Sequence, residues 1–369
     1  MPGTIRTAAG NGSSPEALGQ PPCALASALD SLGDELALER FGEHAHHVLA
    51  AADSVLILAC GGSHHLALVA KVWIESLVAL PVSVEFASEF RYRDSVANPR
   101  SLVVAMSRSG DLADLLGAIE HAARMGMPNS LAICNGSNNA LADACTLAFE
   151  AGAALESGMR FPGIFPTELI ALYLLTLALG RSHRTLGAQD QRHHLQRLRE
   201  LPEAIDEVLA LEPRIRTWAE RLAGSDNMLF LGRGMHYPVA VDGALNMKEI
   251  AFVHAEAFPA GELKHGPLAM VSADMPVMVT APHDRLLEKL NANLQEVSAR
   301  NGRLFVFADA NCSVTTSAGL EVMRLGRHRG LLTPLLHTVP MRLLARHTAL
   351  ARASGIGKAG DSARAMAAG

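Results

Sequence analysis

Two stretches of this chain, SVLILAC at Ser54–Cys60 and NMLFLG at Asn227–Gly232, are continuous apolar runs that pass directly into glycine-containing turns and then into helix-length segments. A strand that is apolar on both sides must be covered on both sides, as in a parallel sheet sandwiched by helices. In the first half, further strands are expected at Val82–Ala87, Ser101–Ser107, Ser130–Cys134 and Thr146–Glu150. Helices are expected at about His64–Leu77, Asp111–Met125 and Thr167–Leu179. After a polar, Arg- and Gln-rich helical stretch over Asp190–Leu222 the pattern restarts. Strands are then expected at Pro276–Ala281 and Arg303–Ala308, with helices near Pro238–Ile250, Arg285–Arg300 and Pro334–Leu350. The expected fold class is α/β, with two tandem domains, each a mainly parallel sheet flanked by helices. The first covers 21–185 with an N-terminal helical segment and the second covers 186–350. Residues 1–20 are expected to be a disordered leader and 351–369 a divergent tail.

Composition narrows the function classes. Of 369 residues, 49% are apolar, enough for large cores, and 19% are charged with a net charge of −5, so there is no basic footprint for nucleic acid. No apolar run reaches the roughly 18–20 residues that cross a bilayer, and the first residues lack the apolar core of a signal peptide. A cytoplasmic location is therefore expected, with neither nucleic acid nor membrane as partner. The five cysteines are odd in number and show no CxxC spacing, as expected of small core hydrophobes in a reducing compartment. The sixteen histidines are dispersed and form no HExxH, so neither a metal nor a cofactor is expected.

Two strand-to-helix turns carry chemistry. In Cys60-Gly61-Gly62-Ser63 the glycines let backbone N–H groups approach an anion, the following helix offers its positive end, and Ser63 adds a hydroxyl. In Ser107-Arg108-Ser109-Gly110-Asp111 two hydroxyls, a guanidinium and a glycine crowd one helix start. Taken singly, each also reads as an ordinary tight turn with a serine cap. Together they suit a phosphate. Neither is a Walker A loop or a dinucleotide GxGxxG.

At these residues the chain resembles the sugar-isomerase (SIS) family, in the form of the isomerase half of glucosamine-6-phosphate synthases and of stand-alone glucosamine-6-phosphate deaminases. The resemblance rests on SVLILACGGSHH, VEFASEFRYRD, VVAMSRSGDLAD and SLAICN in the first half. In the second it rests on FLGRGMHYPVAVDGAL, KEIAFVHAEAFPAGELKHGPLAM, ADMPVMVTAP and HTVPMRLLARHTAL. It runs over roughly Gln20 to Leu350 and implies a double-SIS fold and phosphosugar chemistry. It places the sugar phosphate at Gly61, Gly62, Ser63, Ser107, Arg108 and Ser109. It makes Glu249 the carboxylate that moves a proton between the sugar's first two carbons. It makes His265 the group that opens the sugar ring, reaching into the site of a neighbouring subunit and so implying a homodimer.

The chain also departs from the family pattern. Gly62 and Leu112 stand where the family has threonines, and Arg108 where it has glutamine. Asn246 replaces the first lysine of the family's KLKE helix, and an amide accepts no proton near neutral pH. Arg364 falls about where a tail lysine forms an imine, and a guanidinium makes none; Lys358 is the only tail amine. The substrate loop is Met159–Gly163, where Arg160 either meets an anionic substrate group or pairs with Glu156. These changes favour a route without a protein imine. A 2-amino sugar phosphate such as glucosamine 6-phosphate is opened, its C2 proton moves to C1, and the ketose imine hydrolyses to release ammonia. The alternatives are a catalytically impaired sugar-phosphate-binding regulator and a specialised phosphosugar isomerase with another substrate.

Overall fold

The computed structural model describes residues 22–106, 112–134, 140–150, 164 and 166–355. Helices α1 (Pro22–Asp30) and α2 (Ala45–Ala51) precede a first α/β unit. That unit runs β1 (Ser54–Ala59), α3 (Gly61–Val78), β2 (Val82–Phe86), α4 (Ala87–Phe90), β3 (Ser101–Met106), α5 (Ala113–Arg124), β4 (Ser130–Cys134), α6 (Ala140–Ala144), β5 (Leu147–Glu150) and α7 (Thr167–Ser182). Helices α8 (Ala188–Arg199), α9 (Leu201–Leu209) and α10 (Glu212–Leu222) lead to the second unit. It runs β6 (Asn227–Gly232), α11 (Tyr237–Ala251), β7 (His254–Pro259), β8 (Pro276–Ala281), α12 (Leu287–Ser298), β9 (Arg303–Ala308), β10 (Leu320–Arg324) and α13 (Thr333–Gly355).

Each unit is a five-stranded sheet in which every pairing is parallel, in the orders β2-β1-β3-β4-β5 and β7-β6-β8-β9-β10. The two orders are the same when read from the unit's second strand, so the architectural echo in the sequence is a repeat of topology. Side chains alternate across each sheet with the period of two that a pleated strand imposes. Val55 and Ile57 of β1 and Met228 and Phe230 of β6 face one shared core between the sheets. Leu56 and Leu58 face an outer core under α5, and Leu229 and Leu231 another under α12. In the shared core α3 packs on α7 and on α11, and α11 on α13. Helix α7 is buried from Thr167 to Gly180, so it is covered on every side. Trp73 of α3 donates its indole N–H to the carbonyl of Leu331, 2.9 Å away, pinning the first unit to the second.

The structure adds elements that apolar runs did not mark. Strands β7 and β10 lie at the edges of the second sheet, each bonded to one neighbour. HAEAFP and LEVMR accordingly mix polar and charged residues with apolar ones. The expected helical link over Asp190–Leu222 is three helices, because Pro202 and Pro213 sit in the first turns of α9 and α10, where a missing N–H is tolerated. No helix among the described residues is long and apolar enough to cross a membrane.

Candidate active site

An open parallel sheet leaves a crevice outside its carboxyl ends where the strand order reverses. In the first sheet that place lies between β1 and β3. Beyond Ala59 the chain stays extended at Cys60 and enters α3 at Gly61, whose φ of +52° strains any residue carrying a Cβ. The N–H groups of the first turn of α3, which have no partner within the helix, thereby stand at the crevice, with the positive end of the helix dipole behind them. β3 ends at Met106 on the other side of the reversal. The segment that follows, with Ser107, Arg108 and Ser109, lies outside the described residues, as do Arg160 with the Met159–Gly163 loop, the leader, Lys358 and Arg364.

Two helices close on the Gly61–Ser63 turn. From the second unit comes α11: a Cβ placed on Gly62 would lie 3.5 Å from Oδ1 of Asp242 and 3.8 Å from Leu245. Asp242, Asn246 and Glu249 are spaced i, i+4 and i+7 and so share one face of α11. Asn246 Nδ2 donates back to the Asp242 carbonyl at 2.8 Å. Glu249 is exposed near the end of the helix, which stops at Phe252 in the left-handed region with φ 54°. From the other side comes α7: Ser63 Oγ donates to Glu168 Oε1 at 2.6 Å, and both side chains are buried.

A charged pair lies behind this face. Arg342 of α13 is 2% exposed and Asp242 is fully buried. Arg342 Nε and Nη2 donate to the two carboxylate oxygens of Asp242 at 2.8 and 3.0 Å. Burial opposes the Arg342 charge, but Asp242, with the fields of Glu168 and Glu249, raises the guanidinium pKa above its ordinary value. His65, one helical position beyond His64 in α3, is pushed down to about 4 by burial, against the pull of Asp242. His64 is stacked on the half-exposed ring of Phe86 at 3.7 Å.

Of the sequence-predicted residues, Gly61, Gly62 and Ser63 and the helix of Glu249 are brought together. His265 is not joined to them: it is exposed at the end of a 3-10 turn (Ala260–His265) that follows β7, and no hydrogen bond or ion pair links it to Glu249. Its neighbour Lys264 is held by Glu296 at 2.8 Å. Sequence reasoning missed Glu168, Asp242 and Arg342. A signal existed for two of them. Arg342 interrupts an apolar helix, VPMRLLA, and Asp242 precedes Asn246 and Glu249 on one helical face. Glu168, an acid in the first turn of α7, carries no such signal.

At the carboxyl ends of the second sheet the corresponding space is filled by side chains. Asp309 accepts from the His283 backbone at 2.8 Å, and its oxygens lie 2.7 and 2.9 Å from His328 Nδ1 and His337 Nε2. The fully buried His236 ring packs edge-on against His337, with centroids 4.7 Å apart.

The SIS domain model matches residues 48–178 and 221–343. The glutamine–fructose-6-phosphate aminotransferase (isomerizing) of Bordetella parapertussis is 51% identical over 328 residues, 89% of this chain and 54% of that protein. The protein of the same name from Xanthomonas campestris is 46% identical over 340 residues, 92% and 56%. The chain thus spans about half the length of the curated relatives it matches. Among solved structures, the C-terminal domain of glucosamine-fructose-6-phosphate aminotransferase from Francisella tularensis superposes with a TM-score of 0.82 at 34% identity, covering 90% of this chain and 94% of that one. Glucosamine-6-phosphate deaminase from Thermotoga maritima shares the fold, with a TM-score of 0.61 at 20% identity over 89% and 95% of the two chains.

Proposed function

The chain belongs to the SIS domain family, and from that premise we propose that it is a phosphosugar enzyme of the isomerase type that moves a proton between the first two carbons of an amino-sugar phosphate. The observation that carries this reading is the placement of the Glu249 helix. The Asp242 end of the α11 face that also bears Asn246 and Glu249 packs against the turn at Gly61–Ser63. An anion-receptive helix end, with a solvent-facing carboxylate further along the helix packed on it, supports one shared crevice. In this reading the turn at Gly61–Ser63, together with Ser107, Arg108 and Ser109, receives the phosphorylated sugar, and Arg160 meets a second anionic group on it.

Glu249 takes the C2 proton of the open-chain aldose and returns it to C1, through an enolamine when C2 bears nitrogen. Asn246 carries no amine to share that task. With a 2-amino substrate the product is a ketose imine. Water adds to its C=N carbon and ammonia leaves, so no protein lysine is required. His265 opens the ring by moving a proton between the ring oxygen and the anomeric hydroxyl. Its exposure, and the absence of a hydrogen bond or ion pair to Glu249 within one chain, support its delivery to the site of a second copy. Exposed apolar side chains near both groups, Phe252 beyond Glu249 and Met270 beyond His265, support an interface there.

The test is direct. Purified protein is incubated with glucosamine 6-phosphate, and both ammonia and fructose 6-phosphate are followed, with Glu249→Gln as control. The proposal expects equal amounts of both products from the native protein. Isomerisation of glucose 6-phosphate without ammonia release from the amino sugar would keep the isomerase and remove the deaminase.

A further inference from the structure

We propose that Glu168 determines which chemical group the site accepts beside Ser63: because the Ser63 hydroxyl gives its proton to Glu168, its oxygen only receives hydrogen bonds from a ligand, and the ligand group that meets it is a donor, a protonated amine ahead of a hydroxyl. This rests on the reading that the crevice at the end of β1 receives a phosphosugar.

A serine hydroxyl has one donor and two acceptor positions, and a carboxylate has acceptors alone. The 2.6 Å separation of Ser63 Oγ and Glu168 Oε1 is that of a close hydrogen bond onto a carboxylate oxygen. Both residues are buried, Glu168 at 3% exposure and Ser63 at 8%, so turning the hydroxyl away leaves a buried carboxylate oxygen without its partner. A phosphate offers oxygens that need donors. The backbone N–H groups of the first turn of α3 supply those; the Ser63 side chain does not. A second carboxylate, Asp242, lies across Gly62 and is paired with the buried Arg342, on which the field of Glu168 also acts. A cationic donor beside Ser63 therefore gains both a hydrogen bond and the field of Glu168. Glu168 acts through Ser63 and is a positioning residue.

The experiment measures affinities of glucosamine, glucose and their 6-phosphates, at a pH where the amine is protonated, for native protein, Glu168→Gln and Ser63→Ala. Ligand-observed NMR serves for the weak free sugars and calorimetry for the phosphates, with thermal melting to show that each variant is folded. The native protein is expected to favour glucosamine over glucose by on the order of ten-fold. In Glu168→Gln the amide can donate to Ser63 Oγ, which frees the hydroxyl as a donor. The amine preference should vanish and glucose 6-phosphate should bind more tightly than to native protein. Ser63→Ala should also lose preference, without that gain. A role in folding alone would weaken all four ligands together and leave the ratios unchanged, and that result overturns the inference. So does equal binding, or none, of the two free sugars by native protein. If the 6-phosphates bind native protein no better than the free sugars, the phosphosugar reading fails by itself, while the free-sugar ratio still decides the role of Glu168.

Discussion

The carboxylate of Asp242 on α11 and the guanidinium of Arg342 on α13 meet two-to-two, at 2.8 and 3.0 Å, with neither more than 2% exposed. Such a pair contributes mainly by what its breaking costs. Arg342→Met leaves Asp242 charged and buried, and is expected to lower unfolding free energy by about 3–5 kcal/mol. Replacing both, Asp242→Asn with Arg342→Met, is expected to recover most of that loss. Urea unfolding of the two singles and the double gives the coupling. Additive losses would show that the contact is not formed as described.

Glu249 is exposed and makes no hydrogen bond or ion pair with another described residue that the fold depends on, so its removal should spare the protein. Glu249→Gln is expected to leave thermal stability within about 0.5 kcal/mol. Turnover of the sugar phosphate should fall by about 10²–10⁴-fold while its affinity is kept. Steady-state kinetics with calorimetry separates the two, and a loss of affinity without a loss of turnover would remove Glu249 from proton transfer.

His265 tests the shared site. His265→Asn is expected to slow turnover by about 10²-fold. If the histidine serves a neighbouring copy, mixing the inactive Glu249→Gln and His265→Asn proteins under subunit exchange rebuilds some sites with both groups native, and activity reappears. Mixtures as inactive as their components would place His265 in its own chain's chemistry or outside it.

Acid should destabilise the fold below the ordinary histidine range. His65 is pushed down to about 4 by burial, and His236 is lowered well below 6.5, also chiefly by burial. A histidine with a folded pKa below its unfolded one takes up protons on unfolding in the interval between the two. Its stabilising share is therefore complete above about 6.5 and declines as pH falls towards 4. For Asp309 burial acts upward, but the His328 and His337 bonds prevail and hold the carboxylate below its ordinary value. Its share is present above the unfolded carboxylate value, about 4, and is lost only below it. Urea midpoints measured from pH 7 to pH 4 should fall, and His65→Gln should flatten the fall by about 1–2 kcal/mol after allowance for its partial exposure. A midpoint independent of pH over that range would contradict the burial of these rings.

Much of the fold was legible in the chain. Runs such as SLVVAM and PVMVTA are apolar on both faces and are central strands, and the glycine turn after β1 begins a helix as its backbone freedom allows. The edge strands β7 and β10 escaped notice because polar and charged residues interrupt their apolar ones, in HAEAFP and LEVMR. Among the candidate residues, the Gly61–Ser63 turn was legible from local spacing, and Glu249 from the family resemblance. Glu168 was not, because a glutamate in the first turn of a helix is equally at home as a solvent-facing charge.

The sequence alone determined that the chain forms two parallel α/β units and where the first glycine turn faces its crevice, since strand burial and turn geometry are local properties. Only the tertiary structure decided what that turn can offer a ligand. Ser63 and Glu168 are 105 residues apart and Asp242 and Arg342 are 100 apart. Whether a hydroxyl donates or accepts, and whether a buried carboxylate is paired, depends on which helices pack together, and no local pattern records that.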